Sequence, residues 1–182
     1  MTTQRMTVAQ TASLIRRSVK EAFPDVKFHV RSQSDSGGAS VSVEWLDGPN
    51  QAQVETIAHR FRAAYFDGSI DDQGSRLATF DGRETRFGAD FVHCQRSFSR
   101  TFCEKFLARF RGKVEGLRIA GRDDRAWIDA DDFDSATSVH RKMCRHSDRL
   151  SPQKSPTAER VRAVWDDGYS DSLHVAALRE TA

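Results

Sequence analysis

Six aspartates lie close together in the stretch GRDDRAWIDADDFD, at Asp123, Asp124, Asp129, Asp131, Asp132 and Asp134. Paired carboxylates hold the metal ions of two-metal nucleases, so metal-dependent hydrolysis is one interpretation of this cluster. An acidic stretch that leads into a helix is also favoured by the helix dipole alone. The glycine and the distal glutamate of a calcium-binding EF-hand are missing. We therefore favour a solvated or helix-capping role without a metal, and a metal-dependent nuclease is the alternative.

Histidine and cysteine form a second candidate set: His93, Cys94, Cys103, His140, Cys144 and His146. His140 and Cys144 are four residues apart, so on one helix face both side chains could meet the same ion. Structural zinc needs four ligands with paired spacing, which this set lacks. His93 and Cys94 are neighbours on a predicted strand, so their side chains point to opposite faces. We predict buried cysteines, no catalytic residue, no metal and no cofactor.

Basic residues recur every four positions on two predicted helices, at Lys105, Arg109 and Lys113 and at Arg141, Arg145 and Arg149. Like charges at this spacing repel by about 0.2–0.5 kcal/mol per pair. We call each of these two rows of basic residues a basic ridge, and the repulsion within both ridges favours the binding of external anions. Those anions are phosphates, the acidic stretch at 123–135, or carboxylates of a partner. The predicted binding residues for nucleic acid or an acidic partner are Arg96, Arg100, Lys105, Arg109, Arg111, Lys113, Arg141, Lys142, Arg145 and Arg149.

Phenylalanines between these charges have the spacing of a buried helical stripe and not of a base-stacking set. Phe102, Phe106 and Phe110 recur every four residues, and Cys103 and Leu107 share their face. If nucleic acid binds here, the basic residues would contact phosphates, with little preference for sequence.

The elements that carry these residues are predicted from periodicity and turn signals. A first helix begins at the capping box Thr7/Gln10 and ends before Pro24. Strands are predicted at 26–31, 41–45 and 90–98, a hairpin at 77–80 and 84–87, and short strands near 117–119 and 126–128. The further predicted helices are one that ends near 66–68, one from Ser99, one from Asp134 or Ser135 to Arg149, and a short one that is capped by Thr157 and contains Val161. A loop is predicted at 69–76 and a linker at 151–156.

These elements predict an α+β fold, with a small antiparallel sheet of about four strands packed by two or three helices and a helical C-terminal extension. The predicted organisation is a core at 1–113, short strands and a basic helix packed on it at 114–150, and a linker with a C-terminal helical tail at 151–182. The chain has 182 residues, of which 38% are apolar, so it can bury a core. The Ser/Gly loop at 34–38 leads into a strand and lacks the lysine of a phosphate-binding loop, so it predicts a hairpin turn.

The chain is expected to be cytoplasmic and to have no membrane partner. It has no secretory leader pattern and no apolar run of the roughly 18 residues that span a bilayer. Its three cysteines are an odd number without CxxC spacing, which is typical of reduced thiols.

The order of motifs in the first half of the chain resembles a known family, the twenty-ninth of the large polyvalent protein-associated domains. The motifs are FPDVKFHVRS, the Ser/Gly turn, SVSVEWLDGP, YFDG and RFGADFVHCQR. The matching residues are Phe23, Pro24, Val26, Phe28, Val30, Arg31, Ser32, Gly37, Gly38, Val43, Trp45, Asp47, Gly48, Pro49, Phe66, Asp67, Gly68, Phe87, Gly88, Ala89, Asp90, Gln95, Arg96 and Ser99. The resemblance covers about residues 8–100.

The resemblance implies a setting on phages, plasmids or conjugative elements, and it implies no catalytic residues. The expected function is that of a non-enzymatic accessory protein that binds a host defence protein or nucleoprotein complex, as an inhibitor of the anti-CRISPR or anti-restriction type. Nonspecific binding of DNA or RNA through phosphates is the alternative. The setting follows from the resemblance, and the predicted binding surface follows from the charges.

Overall fold

Helices and strands alternate along the chain in the computed structural model, which describes residues 3–67, 72–75, 78–110, 113–147 and 153–163. The helices are α1 (Val8–Ala22), α2 (Gln51–Ala58), α3 (Arg100–Leu107), α4 (Phe133–Arg145) and α5 (Pro156–Glu159), with 3₁₀ turns at His59–Phe61 and Ala108–Phe110. The strands are β1 (Gln4–Arg5), β2 (Phe28–Asp35), β3 (Gly38–Leu46), β4 (Ala64–Asp67), β5 (Asp72–Ser75), β6 (Ala78–Phe80), β7 (Arg83–Arg86), β8 (Phe91–Ser97), β9 (Arg118–Arg122), β10 (Arg125–Asp129) and β11 (Val161–Ala163). The predicted α+β class is confirmed.

Helix α1 starts as its sequence predicts. The Gln10 amide donates to Thr7 Oγ1 at 3.2 Å, and the Thr7 amide donates to Gln10 Oε1 at 2.8 Å, so both halves of the capping box form. Ile15 and Val19 are fully buried on the inner face of the helix. The helix is thereby fixed at its start and packed along one side.

Strands β2, β3 and β8 form a three-stranded sheet beneath α1 and α2. The Ser/Gly loop is the turn between antiparallel β2 and β3, where Asp35 pairs with Gly38, as predicted. Gly38 has φ of +121°, a conformation that glycine adopts at little cost. Strand β3 pairs with β8 in parallel, a long-range pairing that the expected antiparallel sheet did not include.

A second sheet joins both ends of the described chain in the order β1-β7-β6-β11. The predicted hairpin around Asp81-Gly82 is its centre. The prediction that Thr157 caps a helix containing Val161 is wrong. Ser155 caps α5, because its Oγ accepts from the Ala158 amide at 3.1 Å, and Val161 instead pairs with Phe80 in the sheet.

The predicted extent of the second helix and the loop at 69–76 also need correction. Helix α2 ends at Ala58, and after the 3₁₀ turn the chain becomes extended at Arg62, which bridges to Ala89. Strand β4 then pairs with β5, although the sequence of β5, DQGS, has no β-forming pattern. Pairing with a partner strand therefore determines this region, and local periodicity does not.

The buried apolar residues form two clusters. The first lies between α1, α2 and the β2-β3-β8 sheet and also takes in Ala158 and Val161. The second consists of Phe98, Phe102, Cys103, Phe106, Ala126, Ile128, Val139 and Met143. It is enclosed by α3, α4 and the antiparallel ribbon β9-β10. The predicted domain boundaries at 113 and 150 remain a prediction.

Helix α4 begins one or two residues earlier than predicted. Asp132 is its N-cap, since the Asp132 carboxylate accepts from the Ser135 amide at 2.8 Å. The prediction that the helix runs to Arg149 is wrong, because it ends at Arg145 and the backbone is extended at His146. Arg149, the linker residues 151–152 and most of the predicted tail lie outside the described residues.

Helices in the described ranges are all too short or too polar to cross a membrane.

Candidate functional site

The predicted basic residues of α3 stand outside the second apolar cluster because the apolar stripe of the helix turns inward. Phe102, Cys103 and Phe106 are buried, whereas Lys105 is exposed. Helix α3 ends at Leu107, earlier than predicted, so the exposed residues Arg109 and Lys113 lie in the following 3₁₀ turn and beyond it. Ser99 fixes the start of the helix by accepting from the Phe102 amide at 3.0 Å. The start and the inner face of the helix that carries Lys105 are therefore fixed.

Helix α4 repeats this arrangement. Val139 and Met143 are buried against the same cluster, and Cys103 Sγ lies 3.8 Å from Met143 Sδ. Three basic residues of this helix are exposed, Arg141, Lys142 and Arg145. The inner stripe of α4 thus leaves its charges to solvent.

The two ridges meet at the C-terminal ends of the helices. Lys142 Nζ lies 5.6 Å from the ring centroid of Phe110, and Arg109 Nη1 lies 3.5 Å from Nδ1 of His146, the residue after α4. We call the exposed set the basic surface: Lys105, Arg109 and Lys113, with Arg141, Lys142 and Arg145. Arg111 and Arg149, which were predicted to belong to it, lie outside the described residues.

The acidic stretch at 123–135 does not neutralise this surface within the described ranges. Asp123 Oδ1 lies 3.2 Å from Arg100 Nε. Asp129 pairs with Arg118 Nη2 at 2.8 Å, and Asp131 pairs with the other terminal nitrogen of the same guanidinium. Asp132 caps α4, and the hydrogen bonds from Ser135 lower the pKa of its carboxyl.

None of the six cations of the basic surface forms an ion pair with a described residue. Of the three anion sources that the sequence left open, the acidic stretch thus has four of its six aspartates engaged elsewhere. Phosphates and partner carboxylates remain.

Arg96 and Arg100 do not belong to the basic surface, because their side chains form hydrogen bonds within the protein. Arg96 donates to three main-chain carbonyl oxygens, and its guanidinium carbon lies beside both the Phe98 and the Phe102 ring, at 4.8 and 4.9 Å from their centroids. Arg100 Nη2 donates to the Gly121 carbonyl oxygen at 2.8 Å, and the side chain is 38% exposed. Both residues hold the scaffold beneath the basic surface.

The cysteine and histidine candidates do not assemble a reactive centre. Burial raises the pKa of the Cys94 thiol to about 12 and that of Cys103 to about 11. His140 Nε2 lies 3.4 Å from Cys144 Sγ, and burial lowers the pKa of this histidine. In the part of the chain that the structure describes, no group of three or more His, Cys, Asp or Glu residues could hold a metal ion. Protonated thiols are poor nucleophiles and poor metal ligands.

A groove of about 400 Å³ runs beside α3 and is lined by both apolar and charged side chains, the apolar ones including Leu107, Phe110 and Leu117. Its charged lining residues are Arg100, Glu104 and Arg118. Two of these three are already ion-paired with aspartates. Among the described residues, the lining contains no His, Cys or Ser, so these residues offer no nucleophile and base pair of the usual types.

The outward face of the β9-β10 ribbon carries an exposed aromatic residue that was not among the predicted site residues. Trp127 is 48% exposed there, between the buried residues Ala126 and Ile128. The alternation in RAWID carried this signal, since neighbouring side chains on a strand point to opposite faces.

The family model described as large polyvalent protein associated domain 29 matches residues 6–99, just over half of the chain. The match ends at the N-cap of α3, so the basic surface lies beyond it. No curated protein and no solved structure matches the chain.

Proposed function

Because the chain belongs to the large polyvalent protein associated domain 29 family, we propose that it is a non-enzymatic accessory protein of a phage, plasmid or other mobile element. It binds a host defence or nucleoprotein complex through the basic surface and inhibits an RNA-guided or restriction system. Family membership supports the setting. The observation that supports the binding mode is a set of six exposed cations without an ion-pair partner among the described residues, while nearby aspartates are engaged elsewhere.

Electrostatics favours an anionic partner at this surface. Lys105 and Arg109, like Arg141 and Arg145, are like charges one helical turn apart, and each such pair costs about 0.2–0.5 kcal/mol in isolation. A bound anion removes this repulsion. A surface of one sign also raises the rate of encounter with an oppositely charged partner.

The proposal is tested by phage infection of a host strain that carries an RNA-guided system, and separately of one that carries a restriction system. The test variant replaces Lys105, Arg109, Lys142 and Arg145 by Gln. The control variant replaces four exposed cations elsewhere in the chain by Gln and changes the net charge equally: Lys27, Arg31, Arg83 and Lys154. Expression and thermal melting are compared for all three proteins.

The wild-type protein and the control variant should raise the plaque count on at least one of these strains, and the test variant should lose at least tenfold of that gain. Equal protection by the test variant would contradict the role of the basic surface. Plaque counts that do not differ between wild-type protein and empty vector on both strains would contradict the inhibitory function.

Direct binding of free nucleic acid through the same cations is the second candidate, since phosphates satisfy the same charges. Each duplex phosphate neutralised contributes about −0.9 to the slope of log K against log salt. Four contacts therefore predict a loss of affinity of about 100-fold between 50 and 200 mM salt. A protein interface with an apolar centre would lose much less.

The third interpretation, a metal-dependent nuclease, has less support. A two-metal site needs carboxylates that are free to bind cations. Asp129 and Asp131 instead share the Arg118 guanidinium, and Asp132 caps a helix.

A further inference from the structure

The outward face of the β9-β10 ribbon combines an exposed aromatic ring with two arginines. In the antiparallel register Arg125 lies opposite Arg122, and Trp127 lies opposite Ala120. Residues directly opposite each other share one face of the ribbon. Arg122, Arg125 and Trp127 are all exposed on this face, whereas Ala126 and Ile128 on the other face are buried in the second apolar cluster.

The Trp127 ring is held against the backbone of Gly121. A Cβ atom at Gly121 would lie 2.6 Å from Cζ3 and 2.8 Å from Cε3 of the indole, so only glycine leaves room for the ring. Gly121 also has φ of +89°, a conformation that other residues rarely adopt. The ring is thus supported by main-chain atoms while 48% of the residue is exposed.

The charges on this face favour an external anion. Arg122 and Arg125 are directly opposite each other, and like charges in that position destabilise a strand pair. Asp123 in the turn between them pairs with Arg100, and Asp124 forms no ion pair with a described residue. Arg118, on the same face, is already paired with Asp129 and Asp131.

We propose that this ribbon face binds single-stranded nucleic acid, with Trp127 stacked on a base and Arg122 and Arg125 in contact with phosphates. Stacking on an aromatic side chain beside cations is how proteins bind single strands without sequence preference. The centre of a protein interface needs several apolar residues, and the apolar residues of this face are Trp127 and Ala120. The composition of this small face therefore favours the binding of an unpaired base over the binding of a protein partner.

This site is distinct from the basic surface. Helices α3 and α4 pack against the inner face of the ribbon, so Trp127 points away from the cluster that carries them. The inference does not rest on the proposed function. Either surface can be altered while the other stays intact.

The test is titration of the full chain with fluorescein-labelled dT12, rU12 and a 12-base-pair duplex at 50 mM salt. Trp127→Ala should weaken binding of the single strands by roughly 5- to 160-fold, the range for loss of one stacked base, and Trp127→Phe should retain most of the affinity. Arg122→Gln with Arg125→Gln should lower the salt slope by about 1.4, for two single-strand phosphates. Phe133→Ala, which removes an aromatic residue that is 79% exposed on α4, is the matched control and should bind as wild type does.

Tryptophan emission reports stacking directly. This titration uses a Trp165→Phe background, so that Trp45 and Trp127 are the two remaining tryptophans. With unlabelled dT12 this protein should show quenching that a further Trp127→Phe change removes, because Trp45 is buried. Thermal melting confirms that each variant is folded. The proposal is overturned if the single strands do not bind. It is also overturned if the duplex binds as tightly as dT12 and dT12 causes no quenching. A third contrary outcome is that Trp127→Ala binds as wild type does, whereas neutralisation of Lys105, Arg109, Lys142 and Arg145 abolishes binding. Binding of a protein partner that requires Trp127, together with failure to bind dT12, would also overturn the proposal.

Discussion

Arg96 Nη1 donates to the main-chain carbonyl oxygen of His146 at 2.6 Å, which ties β8 to the residue that follows α4. The same guanidinium donates through Nε and Nη2 to the carbonyl oxygens of Asp47 and Gly48, at 3.0 and 2.8 Å. Asn50 adds a further link, since its Nδ2 donates to the Arg145 carbonyl oxygen at 3.1 Å. The end of α4 is thereby held against the Asp-Gly-Pro turn of the family-matched region.

Replacement of Arg96 by Lys should therefore lower the free energy of unfolding by about 2–4 kcal/mol, although the charge is kept. An ammonium group cannot reach three carbonyl oxygens in the geometry of the planar guanidinium, and the carbonyl groups it leaves lie in a part-buried site. The measurement is denaturant unfolding followed by circular dichroism. Arg31→Lys, at an exposed position of β2, is the control and should change the value by less than about 0.5 kcal/mol. A similarly small change for Arg96→Lys would show that its hydrogen bonds add little stability.

Local signals in the sequence predicted the elements that depend on local contacts. The capping box at Thr7 and Gln10 needs only residues three positions apart, and the hairpin at Asp81-Gly82 needs a turn that tolerates positive φ, which Asp81 and Gly82 both have. The inward stripe of α3 followed from helical spacing in the same way. In each case the partners of a contact lie within a few residues of each other.

The structural features that were not predicted from the sequence depend on contacts between residues far apart in the chain. Val161 is a strand residue because Phe80, far away in the chain, offers an edge to pair with. Long-range contacts also determine which charged residues form ion pairs with each other. The sequence allowed the aspartates to pair with either set of basic helix residues, and only the fold places Asp129 and Asp131 beside Arg118. Arg96, predicted to bind phosphates, has three carbonyl oxygens around it that no local pattern could indicate.

Gly88 marks a place where two segments of the backbone touch. Its amide donates to Thr11 Oγ1 at 2.9 Å, and a Cβ atom there would lie 2.4 Å from the Met6 carbonyl oxygen and 2.5 Å from the Val8 nitrogen. Contacts this short with backbone atoms cannot be relieved by a side-chain rotation. The start of α1 is thus positioned by the absence of a side chain at residue 88.

Gly88→Ala should lower the free energy of unfolding by about 3 kcal/mol or more, because the backbone at the start of α1 must move away. Gly82→Ala is the informative comparison, since Gly82 has φ of +73° but nothing within 4 Å of its missing Cβ. That variant bears only the conformational cost, about 1 kcal/mol. Thermal and denaturant unfolding of both variants give the two values. A Gly88→Ala cost no larger than that of Gly82→Ala would contradict the close approach.

Glu21, near the end of α1, holds the segment that leads into β11. Its carboxylate accepts from Ser155 Oγ at 2.9 Å, from the Thr157 amide at 3.0 Å and from Thr157 Oγ1 at 2.8 Å. Burial raises the pKa of this carboxyl, but the hydrogen bonds from Thr157, Ser155 and Arg17 outweigh that effect and lower the pKa from 4.5 to about 2. The charged form is therefore the one that the fold stabilises.

Glu21→Gln should lower the free energy of unfolding at pH 7 by about 2–3 kcal/mol, because the folded state loses a carboxylate that it binds more favourably than the unfolded chain does. Since the pKa is lower in the folded state, this stabilisation is complete above about pH 4.5 and is lost as the pH falls towards 2. Denaturant unfolding between pH 7 and pH 2 should therefore show wild type and variant converging at the acid end. Glu44→Gln, at an exposed position of β3, should stay parallel to wild type. A Glu21→Gln curve that also ran parallel through this window would mean that the carboxylate does not fasten the C-terminal segment.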